Sequence, residues 1–559
     1  MRPLDWVVMC GWLLFIVCVG LWRGRGSNTT RKFLLAEKTM PWYAMGLSII
    51  ATQASAITFV STTGQAYVDG MRFVQFYFGL PVAMIILSAT AVPIFHRANV
   101  YTAYEYLERR FDAKTRSLVS AIFLIQRGLA AGLALYAPAV VLSVILGWSD
   151  HVTTIIMGVL VMIYTTSGGI KAVTWADVYQ MGLILAALVV ALGMAIFLMP
   201  HNVSFGDALS LAGAMGRLNA VTTKFDWDDR YNIWSGLIGG TFLALAYFGC
   251  DQSQVQRYLT GKSIAQSRLS LLFTAMAKIP MQFFILFIGA MVFVFFVFVK
   301  PPVLFHPVEQ SHIEQRADYG GVQKQFDTAF ADRRAAAEDY LAARHRGAST
   351  DAAATRYRAA QQSLDAAHKA GERLVSSDFN DTNFIFLSFV THYLPAGLVG
   401  LIVAVIFSAA MSSTSGEVNS LATVSVIDIY RRHFRPGAPD AHYVLASRVA
   451  TVFWGCFAVG FSNFGRDFGA LIEAVNLVGS LFYGGLLGVF VLAFFFRRVG
   501  ANAAFYSVLV GEAVIFATNR FTHIGFLWYN VIGCVVVVTS GVMMSMLKAR
   551  QRPGKQDQS

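Results

Sequence analysis

Apolar residues recur in blocks along this chain, and the polar residues gather into short stretches between the blocks. A helix rising about 1.5 Å per residue needs about 20 residues to cross a hydrocarbon core of about 30 Å. The pattern predicts an all-α membrane protein with thirteen spanning helices, at roughly 6–22, 42–66, 72–95, 117–147, 152–170, 177–199, 233–258, 269–299, 394–430, 444–464, 470–495, 502–520 and 525–547. Residues 301–383 break the pattern, being rich in Ala, Arg, Gln and Asp. Val322 to Arg344 and Thr350 to Leu374 carry helical spacing there, with Phe326, Phe330 and Leu341 on one stretch and Tyr357 and Leu364 on the other. A helical hairpin cap is expected, with a disordered loop as the alternative.

Flanking charges orient the array. Asp5 precedes the first block and Arg23, Arg25, Arg31 and Lys32 follow it, the reverse of a signal peptide. This reads as a retained helix with its N-terminus outside. The loops HRANVYTAYEYLERRFDAKTR, RYLTGKSIAQSR, RRHFRPG and FFFRRVG, with the basic tail KARQRPGK, then all fall on the cytoplasmic side. Thirteen crossings put the C-terminus in the cytoplasm and the 301–383 insert outside. A multi-pass protein of the cell membrane, a bacterial inner membrane, is expected.

Composition agrees: 56% of the 559 residues are hydrophobic and 14% charged, which excludes an ordinary soluble domain. The net charge of +12 sits in loops between spans and does not indicate nucleic acid. Cys10, Cys18, Cys250, Cys456 and Cys534 lie singly in apolar segments, as small buried hydrophobes do.

Three spans carry polar groups where hydrocarbon offers no hydrogen bonds. The stretch LIVAVIFSAAMSSTSGEVNSLATVSVIDIY, Leu401 to Tyr430, packs Ser412, Ser413, Thr414 and Ser415 into consecutive positions. On a helix Ala409, Ser412 and Ser413 share one face, which makes an uncharged patch of hard oxygens suited to a hard cation. The alternative is close packing with hydroxyls bonded back to their own helix. Span 42–66 gathers Gln53, Ser55, Thr58, Ser61, Thr62, Thr63 and Gly64 in its middle, and span 233–258 gathers Gly249, Asp251, Gln252, Ser253, Gln254 and Gln256. Two interrupted helices, each opening a group of about five, point to an inverted repeat around a central site. Asp177, Arg127, Asp251 and Lys278 are ionisable at or near membrane depth, where charge is costly unless paired or hydrated. Arg127 reads either as a substrate contact or as the neutralising partner of Asp251. Glu512 reads as structural.

Enzyme and pump motifs do not fit. RYLTGKS carries GKS, but Gln256 stands where a P-loop needs its first glycine, and neither HExxH nor GxSxG occurs.

The pieces YTAYEYLERRF, SGGIKAVTWADVYQ, DQSQVQRYL and SAAMSSTSGEVNSLATVSVIDIY resemble the sodium:solute symporter family over about residues 42–495. The resemblance implies a LeuT-type fold, with two inverted five-helix repeats, and sodium-driven uptake by alternating access. It divides the chain into a peripheral helix and loop (1–41), a first repeat (42–199), an external loop (200–232), a second repeat carrying the insert (233–495), and C-terminal helices with a tail (496–559). Carried over by position, sodium would bind carbonyls of Ala51, Ala54 and Ala409 with hydroxyls of Ser412 and Ser413. A second sodium in some members lies near the positions of Asp177, Ser412 and Ser415; Gly416 departs there, where a hydroxyl is expected. The candidate substrate-binding residues are Gln53, Ser55, Thr58, Tyr77, Arg127, Asp251, Gln252, Lys278 and Asn476. Tyr77 and Ser253 stand where sugar transporters place a Glu and a gating Tyr, so a neutral-sugar site is not reproduced. The expectation is symport of a small carboxylate-bearing solute, a monocarboxylate or acidic sugar. Alternatives are a neutral sugar or polyol, a sensor that kept a transporter fold, or a passive channel. Sodium is the expected cofactor with no organic one, and the partners are solute, sodium and bilayer, with no nucleic acid or obligate protein.

Overall fold

The computed structural model describes residues 1–550 apart from 57, 147, 148, 378 and 465–470; the tail beyond Arg550 lies outside the described residues. Helix dominates, and a lone bridge between Met40 and Gly261 is the β pairing among the described residues. Ten of the described helices are long and apolar enough to cross a membrane. The thirteen expected spans map onto this set in a different way, because two of them are interrupted and two others are arms of one folded element.

The two interrupted spans are each built from two short helices. Trp42–Gln53 ends where Ala54 leaves helical geometry (φ −81°, ψ 57°), and the chain resumes through Thr58–Thr62 into Thr63–Asp69. Gly240–Gly249 stops at Cys250, and Gln252–Leu259 begins after Asp251, whose carboxylate caps it by accepting from the Ser253 backbone N–H at 2.9 Å. The YTAYEYLERRF stretch docks on this second break. The Tyr104 hydroxyl donates to the Cys250 carbonyl at 2.9 Å, and the Gln252 amide spans Ala103 N and Tyr101 O at 3.0 Å each. Two of the sequence motifs are thus two sides of one contact.

The spans at 152–170 and 177–199 are arms of one element, Asp150–Phe197, folded at Gly169. Its φ of +58° suits glycine, and a Cβ there would lie 2.3 Å from the Phe33 carbonyl. Both arms run back along the N-terminal helix Pro3–Arg23. A Cβ on Gly24 would touch Gly168, one on Gly20 would touch Tyr164 on the first arm, and Phe15 packs edge-on against Tyr179 on the second at 5.7 Å.

At the centre stands Leu398–Val424, in which every side chain from Ile402 to Val424 is buried. Its N-terminus is capped from the N-terminal helix: Asp5 Oδ1 accepts from Gly397 N at 2.6 Å and Gly400 N at 3.0 Å. Outer helices present large apolar side chains outward, Leu14, Val189, Val449 and Phe453 among them, where hydrocarbon can cover them.

The 301–383 insert is a helical hairpin, Tyr319–His345 and Asp351–Val375, turned at Gly347 (φ +66°). Phe326, Phe330, Leu364 and Ala367 pack with Val303, Leu304 and Ile313, which gives it a core of its own and removes the disordered alternative. Buried Arg333 anchors it, donating to Gln361 at 3.0 Å and to the Phe296 carbonyl. At its base His368 donates Nδ1–H to the Val303 carbonyl (2.8 Å) and faces Asp381 (3.1 Å) and Glu372 (3.7 Å) with Nε2. Burial alone would lower the His368 pKa, but the carboxylates, Asp381 foremost, push it up to about 9. A histidine whose folded pKa lies above its unfolded value of about 6.5 adds stability that is complete below that value. That stability is lost as pH rises through about 9. His368→Gln should therefore lower the thermal midpoint of the detergent-solubilised protein by several degrees at pH 6. The gap to the unmutated protein should close as pH passes 9, and a gap that does not change with pH would refute the ion pair.

Candidate functional site

Breaking a helix frees the last carbonyls before the break and the first N–H groups after it. The first break and the Gly240–Gly249 half of the second broken helix border a cavity of about 110 Å³ whose wall includes Thr52, Gln53, Ser55 and Thr58 from the first break, Leu243 and Tyr247 from that half-helix, Ser413 and Glu417 from the central helix, Gln126 and Arg127 from Ala113–Leu146, and Val475, Asn476 and Tyr483 from Leu471–Phe495. Phe76 and Tyr77 complete its aromatic side.

The central helix meets the first break through Ser413, while the adjacent Ser412 bonds the second arm of Asp150–Phe197. Ser413 Oγ donates to the Thr52 carbonyl at 2.8 Å, and Ser412 Oγ donates to Asp177 Oδ1 at 2.5 Å. Ala51, Ala54 and Ala409 are fully buried alongside, with Ala51 in the last turn before the break, where carbonyls lack a helical partner. These carbonyls and hydroxyls form a neutral, hard-oxygen donor set, which fits a monovalent hard cation.

The second proposed ion position is different. Asp177 Oδ2 accepts from Ser48 Oγ at 2.5 Å and faces Arg257 Nη2 at 3.5 Å, while Arg257 Nε donates to Ser48 at 2.9 Å. Ser415 Oγ donates back to the Ser412 carbonyl of its own helix. Gly416 makes room for the guanidinium: a Cβ there would lie 2.2 Å from Arg257 Nη2. The carboxylate already has a tethered cation, so this donor set does not fit a second ion.

Across the cavity Arg127 is held by two carboxylates. Nη1 donates to Glu417 Oε1 at 2.9 Å, and Nη2 donates to Asp251 Oδ2 and to the Tyr483 hydroxyl; Tyr483 also donates to Asp251 Oδ2 at 3.0 Å. Side-chain exposure is 3% for Arg127, 0% for Asp251 and 7% for Glu417. Buried ions need such pairing because desolvation costs several kcal/mol for each. Several polar atoms on the cavity wall have no hydrogen-bond partner among the described residues: Gln53 Oε1, Gln126 Oε1, Glu417 Oε2, Arg127 Nε and Asn476 Nδ2.

Of the residues named from sequence, Gln53, Ser55, Thr58, Tyr77, Arg127 and Asn476 line the cavity. Asp251 stands behind Arg127. Gln252 is turned away to Tyr101 and Ala103. Lys278 is fully buried outside the cavity wall, its ammonium 5.4 Å from the centre of the Tyr77 ring and without a hydrogen-bond partner among the described residues. Glu417, Gln126, Tyr247, Tyr483 and Arg257 were not singled out by the sequence reading. Glu417 carried a signal: it is the one charged residue between Leu401 and Ile427.

The sodium:solute symporter family model matches residues 33–316 and 359–511, well over half of the chain. The unmatched segment between them covers the first insert helix. The human sodium-coupled monocarboxylate transporter 1 is 26% identical over 513 residues, which is 91% of this chain and 72% of that protein. A sodium/sialic acid symporter of Aliivibrio fischeri is 26% identical over 550 residues, 97% of this chain and 92% of the relative. The solved structure of a sodium-coupled sialic acid symporter in a substrate-bound, outward-open state superposes with a TM-score of 0.76 over 99% of both chains, at 24% identity. That likeness shows the fold, the LeuT-type architecture implied by the sequence motifs. With two broken helices bordering one cavity and a family match that runs through both of them, the chain belongs to the sodium:solute symporter family.

Proposed function

We propose that this multi-pass membrane protein is a secondary transporter that couples inward sodium flow to uptake of a small carboxylate-bearing solute by alternating access. The observation that carries this reading is the meeting of Ser413 with the Thr52 carbonyl at the first helix break, on the edge of the cavity, with Ser412 beside it on the same helix. The relatives support it, since they are named for sodium-coupled movement of monocarboxylates and sialic acid. Carbonyls of Ala51, Ala54 and Ala409 with the Ser412 and Ser413 hydroxyls would hold the ion. Bound sodium supplies a positive charge that neutralises freed helix-end carbonyls next to the substrate. The protein's part is to hold those oxygens between two elements, the Trp42–Gln53 half-helix and the central helix, so that closing one on the other completes the site. Because Arg257 already faces Asp177, the reading is one sodium at this site rather than two. The proposed orientation keeps the N-terminus and insert outside and the C-terminus in the cytoplasm of a bacterial inner membrane.

Three measurements bear on this reading. Changing Ser412 and Ser413 together to Ala removes two of the few oxygens around the ion. The sodium concentration for half-maximal uptake in proteoliposomes should rise at least several-fold; an unchanged value in correctly inserted protein would dismiss the site.

For orientation, Ser349→Cys at the exposed tip of the insert should react with an impermeant maleimide in intact spheroplasts, in a background without the five native cysteines. Labelling confined to opened membranes would invert the topology.

For the charge cluster, Arg127→Gln alone leaves Asp251 and Glu417 buried without their shared cation, at a typical cost of about 3–5 kcal/mol, while Asp251→Asn alone removes one of the two carboxylates that hold Arg127 and leaves it Glu417. Each should lower thermal stability and the double change should recover part of it, a coupling read by a double-mutant cycle. Strict additivity would mean that the pair is not coupled.

A further inference from the structure

We infer that the solute recognised in this cavity is a zwitterion, carrying a protonated amine beside its carboxylate, and that Glu417 selects the amine. This rests on the reading of the cavity as the substrate site.

The first argument is charge. One guanidinium on the wall, Arg127, is shared by two carboxylates, Glu417 on the wall and Asp251 behind Arg127, all nearly inaccessible to water. The nearby Asp177–Arg257 pair balances itself. Lys278 lies outside the cavity wall, next to the Tyr77 ring. A simple monoanion entering here adds negative charge beside two carboxylates that share one cation, in a low-dielectric setting where that repulsion is strong. A zwitterion adds none.

The second argument is the sorting of unmet hydrogen-bonding groups. Arg127 Nε and Asn476 Nδ2 are donors without a partner among the described residues, and they suit a substrate carboxylate. Glu417 Oε2, Gln53 Oε1 and Gln126 Oε1 are acceptors in the same condition. An ammonium has three N–H donors and nothing to accept with, so it answers such a cluster. Glu417 is the decisive member, because a carboxylate accepts whichever way it is turned, whereas an amide can flip. Its Oε1 is committed to Arg127 at 2.9 Å, which orients the free Oε2. A monocarboxylate would satisfy the donors and leave the acceptors, and a neutral polyol, whose hydroxyls both donate and accept, would bring no charge to either Arg127 or Glu417.

Matched acids test this, since alanine, lactate and propionate differ only in bearing –NH₃⁺, –OH or –H on the α-carbon. Phenylalanine, phenyllactate and phenylpropionate repeat the series at larger size, and myo-inositol and N-acetylneuraminate stand for a neutral polyol and an acidic sugar. Binding to the purified full chain is read by thermal shift and uptake by proteoliposomes, each with and without sodium. In at least one series the amino acid should bind at least tenfold more tightly than its hydroxy acid, in the presence of sodium. Glu417→Gln should erase that preference, and Glu417→Asp should retain part of it, with the sodium-induced shift serving as the check of folding. A hydroxy acid, sugar acid or polyol that binds and is taken up with sodium while the amino acids do not compete overturns this inference and leaves sodium-coupled transport standing. A preference for the amino acid that survives Glu417→Gln removes Glu417 from the selection. Uptake of every probe without regard to sodium overturns the transport reading itself.

Discussion

A helix broken inside a hydrocarbon layer exposes backbone groups that no solvent will satisfy, and this demand shapes the protein. It is met twice by different means. At the second break protein groups do the work: Asp251 caps Gln252–Leu259, and Tyr104 takes the Cys250 carbonyl. At the first break Ser413 reaches across from the central helix to the Thr52 carbonyl, while Ala51 and Ala54 stand buried next to it. A partner for those oxygens that can come and go is what an ion supplies. The full burial of the central helix follows, since it must touch both breaks together.

The same demand explains why the charges sit where they do. Asp251 serves the break with one oxygen and Arg127 with the other, so the cap of a half-helix is also a member of the cavity's ion cluster. Glu417, one turn beyond Ser413 on the central helix, joins that cluster. An ion near Ser413 and a solute near Glu417 would therefore act on a single rigid element. Coupling in such an arrangement is short-range: it needs no pathway beyond one helical turn and one guanidinium.

Much of this was legible from the sequence, for identifiable reasons. Polar clusters within apolar blocks mark helix breaks because the bilayer forbids them elsewhere, and both breaks lie where Gln53–Thr58 and Gly249–Asp251 placed them. The Arg127–Asp251 pairing stood among the alternatives. What one sequence does not carry is which distant residues meet. Glu417 and Arg127 are 290 positions apart, and neither periodicity nor spacing links them. Tyr247 and Tyr483 stand in apolar runs with no local mark of a site, and the fold brings both to one cavity. Gln252 failed for the converse reason: polarity at a break marks a need for hydrogen bonds, and its amide meets that need with the Tyr101–Ala103 backbone rather than with a ligand. The hairpin at Gly169 was expected as two spans, but its bend depends on Phe33, which a local pattern does not contain.

The insert bears on how its own end of the molecule can move. Its first helix lies outside the family match, yet it is not a free appendage. Arg344 and His345 pair with Asp207, and Arg358 bonds the Ala214 carbonyl, which ties the hairpin to the Phe205–Ala214 helix. Arg333 ties it to the end of Ile264–Phe298. From its base the chain passes Asp381 and runs directly over the Thr63–Asp69 half of the first broken helix, where a Cβ on Gly64 would lie 2.0 Å from the Thr382 carbonyl. That contact is backbone against backbone, so this half-helix has little freedom to tilt without displacing Thr382. Asp381 precedes Thr382 and is held by His368 and by the Phe305 N–H at 2.6 Å. Opening on this side therefore either carries the insert along as a body or breaks the polar contacts at its base, and the insert's own hydrophobic core makes movement as a body the less costly course.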